Sequence, residues 1–122
     1  MRILYIDTET TGFTPGQICE LSIISEVDNQ FEYAKNFFLT VSSMSDGAER
    51  THGFSVEKLK ELSNGLQFKD IIHEIYNDYT TSTIVAHNAQ FDRRFIETEF
   101  KRVLGYSVYP LSTFCTMNYY KD

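Results

Sequence analysis

The sequence predicts a single α/β domain built on a mixed β-sheet covered by helices, and three observations carry that expectation. The chain opens on a continuous apolar run, RILYI, suited to a buried strand. Two further β-rich runs follow, and from Ser55 onward the apolar period changes to that of helices, with one short β-branched segment between two helical stretches. At 122 residues the chain can bury one real core and not two, so residues 1–122 are read as one domain.

Each element has its own grounds. RILYI, ICELSIIS and FEYAKNFFL read as three early strands, the last two separated by the polar EVDNQ. In SVEKLKEL, Ser55 is placed to cap a short helix and Glu57 lies in its first turn, where the helix dipole favours an anion. Phe68, Ile71, Ile72, Ile75, Tyr76 and Tyr79 then recur at helical spacing and predict an amphipathic helix, on which His73 reads as structural or solvent-facing. STIVA is a fourth, buried strand. NAQFDRRFIETEFKRVL is a second amphipathic helix, with Asn88 as N-cap and Gly105 at the position that closes a helix. LSTFCTM predicts a fifth strand, after which NYYKD remains. The order β-β-β-α-α-β-α-β, with helices among the later strands, gives the mixed, helix-covered sheet.

Composition excludes several classes. Hydrophobic residues are 42% and charged residues 23%, ordinary globular values, and no apolar run approaches the ~18 residues that span a bilayer, so no membrane partner is expected. The opening apolar run stops at Asp7, too soon for a secretory h-region, and the cytoplasm is the expected compartment. Cys19 and Cys115 have no second Cys or His at metal-ligand spacing, which argues against a zinc site or disulfide framework. A formal charge of −6 argues against a protein that coats long nucleic acid. A small footprint is compatible with it, since Arg93, Arg94, Lys101 and Arg102 cluster in the sequence.

The chemistry concentrates in three acids. Asp7 and Glu9 follow the first apolar run directly, and residues at i and i+2 of an extended segment share a face. Two adjacent carboxylates repel unless a cation sits between them, although the end of a strand is itself a common place for solvated acids. Asp92 shares a helical face with Phe95, Ile96, Glu99 and Val103, and an acid on a largely inward face needs a cap, a basic partner or a metal. Neither Arg94 nor Lys101 stands one turn from it. An oxygen-only set suits Mg²⁺ or Mn²⁺ rather than zinc.

These residues resemble a known family. DTETTG (Asp7 to Gly12) and HNAQFD (His87 to Asp92) look like the first two motifs of the DEDD superfamily of 3′-5′ exonucleases, the proofreading type seen in the epsilon subunit of bacterial replicative polymerase and in ribonuclease T. Order and spacing agree, ICELSII resembles the family's second strand, THGFS resembles its HGI-type segment, and the likeness covers essentially the whole chain. The resemblance implies a ribonuclease H-like sheet flanked by helices, and hydrolysis of terminal phosphodiesters of single-stranded DNA or RNA by two Mg²⁺ or Mn²⁺ ions ~4 Å apart. Carried over by position, Asp7, Glu9 and Asp92 would be the catalytic metal ligands. Thr10, Thr11 and Gly12 would meet the terminal nucleotide, with His52, Asn88 and Phe91 as further substrate-pocket residues. Each of these also has a structural reading, as turn, loop, helix cap or core.

The family's third motif, a His followed five residues later by an Asp on a last helix, has no counterpart here. His52, His73 and His87 all lie upstream of it, and Tyr119 and Tyr120 stand at the wrong distance from Asp122 for the Tyr-type variant. The domain is therefore expected to be truncated before that helix, with a second metal site in doubt. It is a fragment of a longer enzyme, a chain completed by a polymerase-like partner, another polypeptide or a second protomer, or a weak relative that binds nucleic-acid ends. Two functions stay open: a metal-dependent 3′-5′ exonuclease, and a non-catalytic module that holds a nucleic-acid end or docks on a polymerase. Exposed sheet surface would favour homo-oligomers or marginal stability.

Overall fold

A computed structural model of the protein describes residues 1–13 and 16–119. Its strands are β1 (Arg2–Thr10), β2 (Ile18–Val27), β3 (Gln30–Phe38), β4 (Ser82–Ala86) and β5 (Ser112–Cys115). Its helices are α1 (Asp46–His52), α2 (Val56–Ser63), α3 (Phe68–Thr80), α4 (Ala89–Leu104) and α5 (Thr116–Tyr119). The strands form one mixed sheet in the order β3-β2-β1-β4-β5. β1, β2 and β3 are an antiparallel meander, while β4 runs parallel to β1 and β5 parallel to β4.

The five expected strands and three expected helices are present. The polar EVDNQ is mostly strand, because Glu26 and Val27 pair with Phe31 and Gln30 and leave only Asp28 and Asn29 as the turn. Their φ values of 51° and 69° suit a two-residue hairpin whose twist matches the strands. Helix α1 is additional to the sequence reading. It buries no residue and so shows no apolar period; it is set by its ends, with Ser45 Oγ accepting from Ala48 N–H and Gly53 closing it at φ 80°. Ser55 caps α2 and Gly105 closes α4 as expected, whereas Asn88 occupies the N-cap of α4 without a side-chain capping bond. Tyr120 and Asp122 lie outside the described residues.

One face of the sheet carries the main core. Leu4 and Ile6 of β1, Leu21 and Ile23 of β2 and Ile84 of β4 pack against α3 and α4, where Ile71, Ile75, Phe95, Ile96 and Phe100 are buried. A smaller cluster of Cys19, Val41 and Leu59 lies under α2, with Phe38 and Phe54 edge to face at 5.5 Å. On α4, Asp92, Phe95, Ile96 and Glu99 are buried as predicted, but Val103 on the same stripe is 44% exposed, because a groove opens beneath the last turn. The opposite sheet face carries a row across all five strands, Phe114, Val85, Tyr5, Ile24 and Ala34, each directly opposite the next. In that row Tyr5 is 38% exposed and Ile24 and Phe114 are 45% exposed.

Candidate active site

The alternation of β1 sets the site. Leu4, Ile6, Thr8 and Thr10 point into the core, so Tyr5, Asp7 and Glu9 project from the other face, with Asp7 exposed and Glu9 half-buried. Across the ladder Glu9 lies opposite Glu20, and the register slips just after it, where β2 carries Cys19 as an extra residue. This bulge turns Cys19 and Glu20 toward Glu9, and burial pushes the Cys19 thiol up to about 12, with Glu9 and Glu20 adding to it. Cys19 is a packed, inert thiol.

Asp92 reaches the same region from α4, behind the strand. It is 5% exposed, and Thr8 donates its hydroxyl to Asp92 Oδ1 at 2.6 Å. Burial raises the Asp92 carboxyl above its ordinary range and the Thr8 hydrogen bond pulls it back, while Asp7 adds like-charge repulsion. Glu9 is also raised, first by burial, then by Asp7, Glu20 and Asp92, against a lowering by His52. Asp7, Glu9 and Asp92 therefore share one electrostatic field. Thr8 lies between the two strand acids but was not singled out from sequence. The available signal was a polar residue on an otherwise apolar inward face, which had to find a buried partner.

The loop after β1 is locked by its own polar groups. Thr10 Oγ1 accepts from Gly12 N–H, and Thr11, 1% exposed, exchanges backbone bonds with Gln17 and Ser45 while its hydroxyl accepts from Gln17 N–H. Both threonine hydroxyls are thus engaged inside the loop. Gly12 has φ 83°, and a Cβ there would collide with Ser45 Oγ and stand 3.0 Å from Ala48 Cβ, so the residue is fixed as Gly by backbone and by space. Through this contact α1 is seated on the end of β1.

His52, at the end of α1, places Nε2 2.9 Å from the Thr10 carbonyl and accepts from Phe54 N–H at Nδ1, 3.1 Å away. A ring accepting at Nδ1 carries its proton on Nε2 and donates it to Thr10. The ring also stacks on Phe54 at 5.3 Å. Both nitrogens are engaged, so His52 positions the strand end that carries Glu9. Phe91, next to Asp92 on α4, is 38% exposed and leans on Phe95 one turn further on, with ring centroids 4.8 Å apart. Asn88 accepts the Asp92 backbone N–H at its carbonyl and lines a cleft of about 750 Å³ with Gln90, Arg94, Thr113 and Met117. His87 is exposed, 3.2 Å from Thr116 Oγ1, and His73 is exposed on α3. The basic residues that cluster in sequence separate in space, Arg93 pairing with Glu97 and Arg102 with Glu99.

Among the described residues, no three His, Cys, Asp or Glu side chains converge tightly enough to enclose one ion. The donor chemistry nonetheless fits a hard cation. All three groups are carboxylates, burial and then the neighbouring acids raise Glu9 and Asp92, and Mg²⁺ is commonly held by one or two carboxylates while keeping several of its waters. Asp7 and Glu9 could hold such an ion, with Asp92 behind them.

Comparison with known proteins agrees with this geometry. The RNase_T family model, described as Exonuclease, matches residues 4–122. The DNA polymerase III epsilon subunit of Buchnera aphidicola (strain Sg) is 29% identical over 95% of this chain and 52% of its own length. The epsilon subunit of Rickettsia typhi is 35% identical over 81% of this chain and 44% of its own. The chain thus spans about half the length of these curated relatives. A crystal structure of E. coli exonuclease I with a dA16 oligonucleotide superposes with a TM-score of 0.80 at 16% identity, covering 97% of this chain and 28% of that one, and shares its fold. The mixed sheet flanked by helices is that ribonuclease H-like exonuclease fold, and the chain belongs to the exonuclease family.

Proposed function

We propose that this chain is a 3′-5′ exonuclease domain that removes terminal nucleotides from single-stranded DNA or RNA with Mg²⁺ or Mn²⁺. The observation that carries the reading is the three-acid field, in which Asp7 and Glu9 project from β1 while Asp92 is held behind the same strand by Thr8. Burial, and then the neighbouring acids, raise the proton affinity of Glu9 and Asp92, which is costly to stability without a ligand to bind. A bound divalent ion would supply charge neutralisation at the scissile phosphate and a more acidic water. The chain's own part is to hold Asp7 and Glu9 on one face of a rigid strand, to hold Asp92 behind that strand through Thr8, and to present the Gly12 backbone where a nucleotide end can approach it closely. Phe91, half exposed beside Asp92, is placed to stack on a base.

The test is to incubate the chain with end-labelled single-stranded DNA and RNA in Mn²⁺ and in Mg²⁺, beside Asp7→Ala. Mononucleotide release from the 3′ end, lost in the variant, is the expected result; binding without release would overturn it.

The second reading, a module that binds nucleic-acid ends or docks on a polymerase, is favoured by one observation. His52, the histidine that faces Glu9, has both nitrogens engaged and none left to act as a general base. On that reading a partner chain or a second protomer supplies the base. That the curated relatives are polymerase subunits supports a polymerase as the partner. Release of nucleotides only after the partner is added would distinguish it from the first.

A further inference from the structure

Three exposed basic side chains from three different helices meet at one groove. A groove of about 470 Å³ opens between α2, the start of α3 and the last turn of α4, and Lys60, Lys69 and Arg102 stand on its rim. Lys60 and Lys69 are exposed, and their side chains make no ion pair or hydrogen bond among the described residues. Arg102 is shared, bonding Glu99 Oε1 at 2.8 Å and the Gly16 carbonyl at 3.1 Å. Glu99, the one acid in the lining, is 4% exposed and also accepts from Ile18 N–H, so it offers little charge to the groove. On a chain of net charge −6 this is a local positive field.

The floor is apolar. Phe68 and Ile18 are buried beneath it, and Val103 is 44% exposed above it although it lies on the stripe that α4 otherwise buries. An apolar floor with cations along the rim matches a strand whose bases pack downward and whose phosphates face the lysines. The groove continues toward the loop that follows Glu9. Gln17, Ser42 and Arg102 line both it and a neighbouring cleft of about 380 Å³ that reaches Thr11 and Phe13. Gln17 Oε1 accepts twice from Ser42, which leaves the amide nitrogen as a donor without a partner among the described residues.

We propose that this groove is a track for the body of a single-stranded nucleic acid whose end lies at Asp7 and Glu9, with Lys60, Lys69 and Arg102 contacting its phosphates. The proposal rests on the nucleic-acid reading above and adds where the rest of the strand runs. Charge complementarity selects the occupant, since each phosphodiester brings one negative charge and a planar base, whereas an acidic peptide brings charge without the stacking face.

The test is fluorescence anisotropy of a labelled single-stranded oligonucleotide with the wild-type chain and with Lys60→Glu/Lys69→Glu, in Ca²⁺, with 3′-mononucleotide competition measured alongside. Both lysines are exposed and unpaired, and circular dichroism verifies the fold of the variant. The expected result is at least a roughly tenfold weaker oligonucleotide Kd, with the slope of log Kd against log salt falling by about 1.4, ~0.7 for each phosphate contact. Mononucleotide affinity stays unchanged. If wild type binds oligonucleotide and the variant matches it in Kd and slope, the track is overturned while the end-binding site stands. If wild type binds no oligonucleotide, both readings fall. Equal competition by polyglutamate at matched charge would also overturn the track, because the site would then read charge alone.

Discussion

Replacing Thr8 with Val removes one oxygen from the core and keeps the volume. In the wild-type chain that oxygen donates to Asp92 at 2.6 Å in a pocket where the two residues are 7% and 5% exposed. Hydrogen bonds to a charged group contribute roughly 1.5 to 3 kcal/mol, and here the carboxylate left behind is buried. The expected loss at neutral pH is about 2 kcal/mol, or roughly 6 to 10 °C in melting temperature for a domain of this size. The loss depends on pH in a defined direction. Burial raises the folded-state pKa of Asp92 and the Thr8 bond holds that rise back, so the bond contributes fully where Asp92 is ionised in both wild type and variant, and its contribution fades as pH falls through their raised folded-state pKa values. Thermal melts of Thr8→Val and Thr8→Ser from about pH 4 to 8 measure it. Thr8→Ser keeps the hydroxyl and loses one methyl, about 0.8 kcal/mol. A Val variant within ~0.5 kcal/mol of wild type at neutral pH, or a Ser variant as unstable as Val, would refute the reasoning.

Other outcomes follow from the same geometry. Gly12→Ala places a Cβ against Ser45 Oγ at a positive φ, so it should cost about 2 kcal/mol or more and loosen α1, read as faster amide exchange there than in α3. Glu9, Asp92 and Glu99 all have raised pKa values in the fold, chiefly from burial, so folding favours their protonated forms. Stability in EDTA should therefore fall as pH rises from about 4 toward 7, and Mn²⁺ should restore more of it at the upper end; a melting temperature flat in pH and insensitive to Mn²⁺ would contradict this. Light scattering should show self-association through the row containing Tyr5, Ile24 and Phe114, dispersed by Ile24→Lys, and a wild-type monomer with a cooperative melt would exclude it.

What the sequence made legible was what has a period or a local chemical signature. The shared face of Asp7 and Glu9, the stripe of α3, and the caps Ser55 and Gly105 all read correctly because each rests on neighbours within a few residues, whereas RILYI, expected as a continuously buried run, alternates and leaves Tyr5 exposed. Helix α1 was illegible because it buries nothing, and its stability comes from a cap and from Gly12. The placement of His52 was equally hidden, since its two partners, Thr10 and Phe54, are backbone groups that no side-chain pattern announces. The grouping of Lys60, Lys69 and Arg102 needed three helices to meet at one end of the sheet, whereas the sequence cluster of Arg93, Arg94, Lys101 and Arg102 dissolved around the circumference of α4. Thr8 was the one residue that stricter accounting for buried polar groups would have found.

The strand order also has a consequence for how the chain folds. β1, β2 and β3 are neighbours in sequence and can zip up as a meander, which gives Asp7 and Glu9 their common face early. Asp92 arrives only after β4 has added to the far edge of β1, and its bond to Thr8 closes a loop with a sequence separation of 84. Long-range parallel pairing is the slow step in such topologies. A chain emerging from a ribosome or recovering from denaturant would thus hold the two strand carboxylates first and complete the triad later, which makes the assembled site a reporter that β4 and α4 have joined the meander.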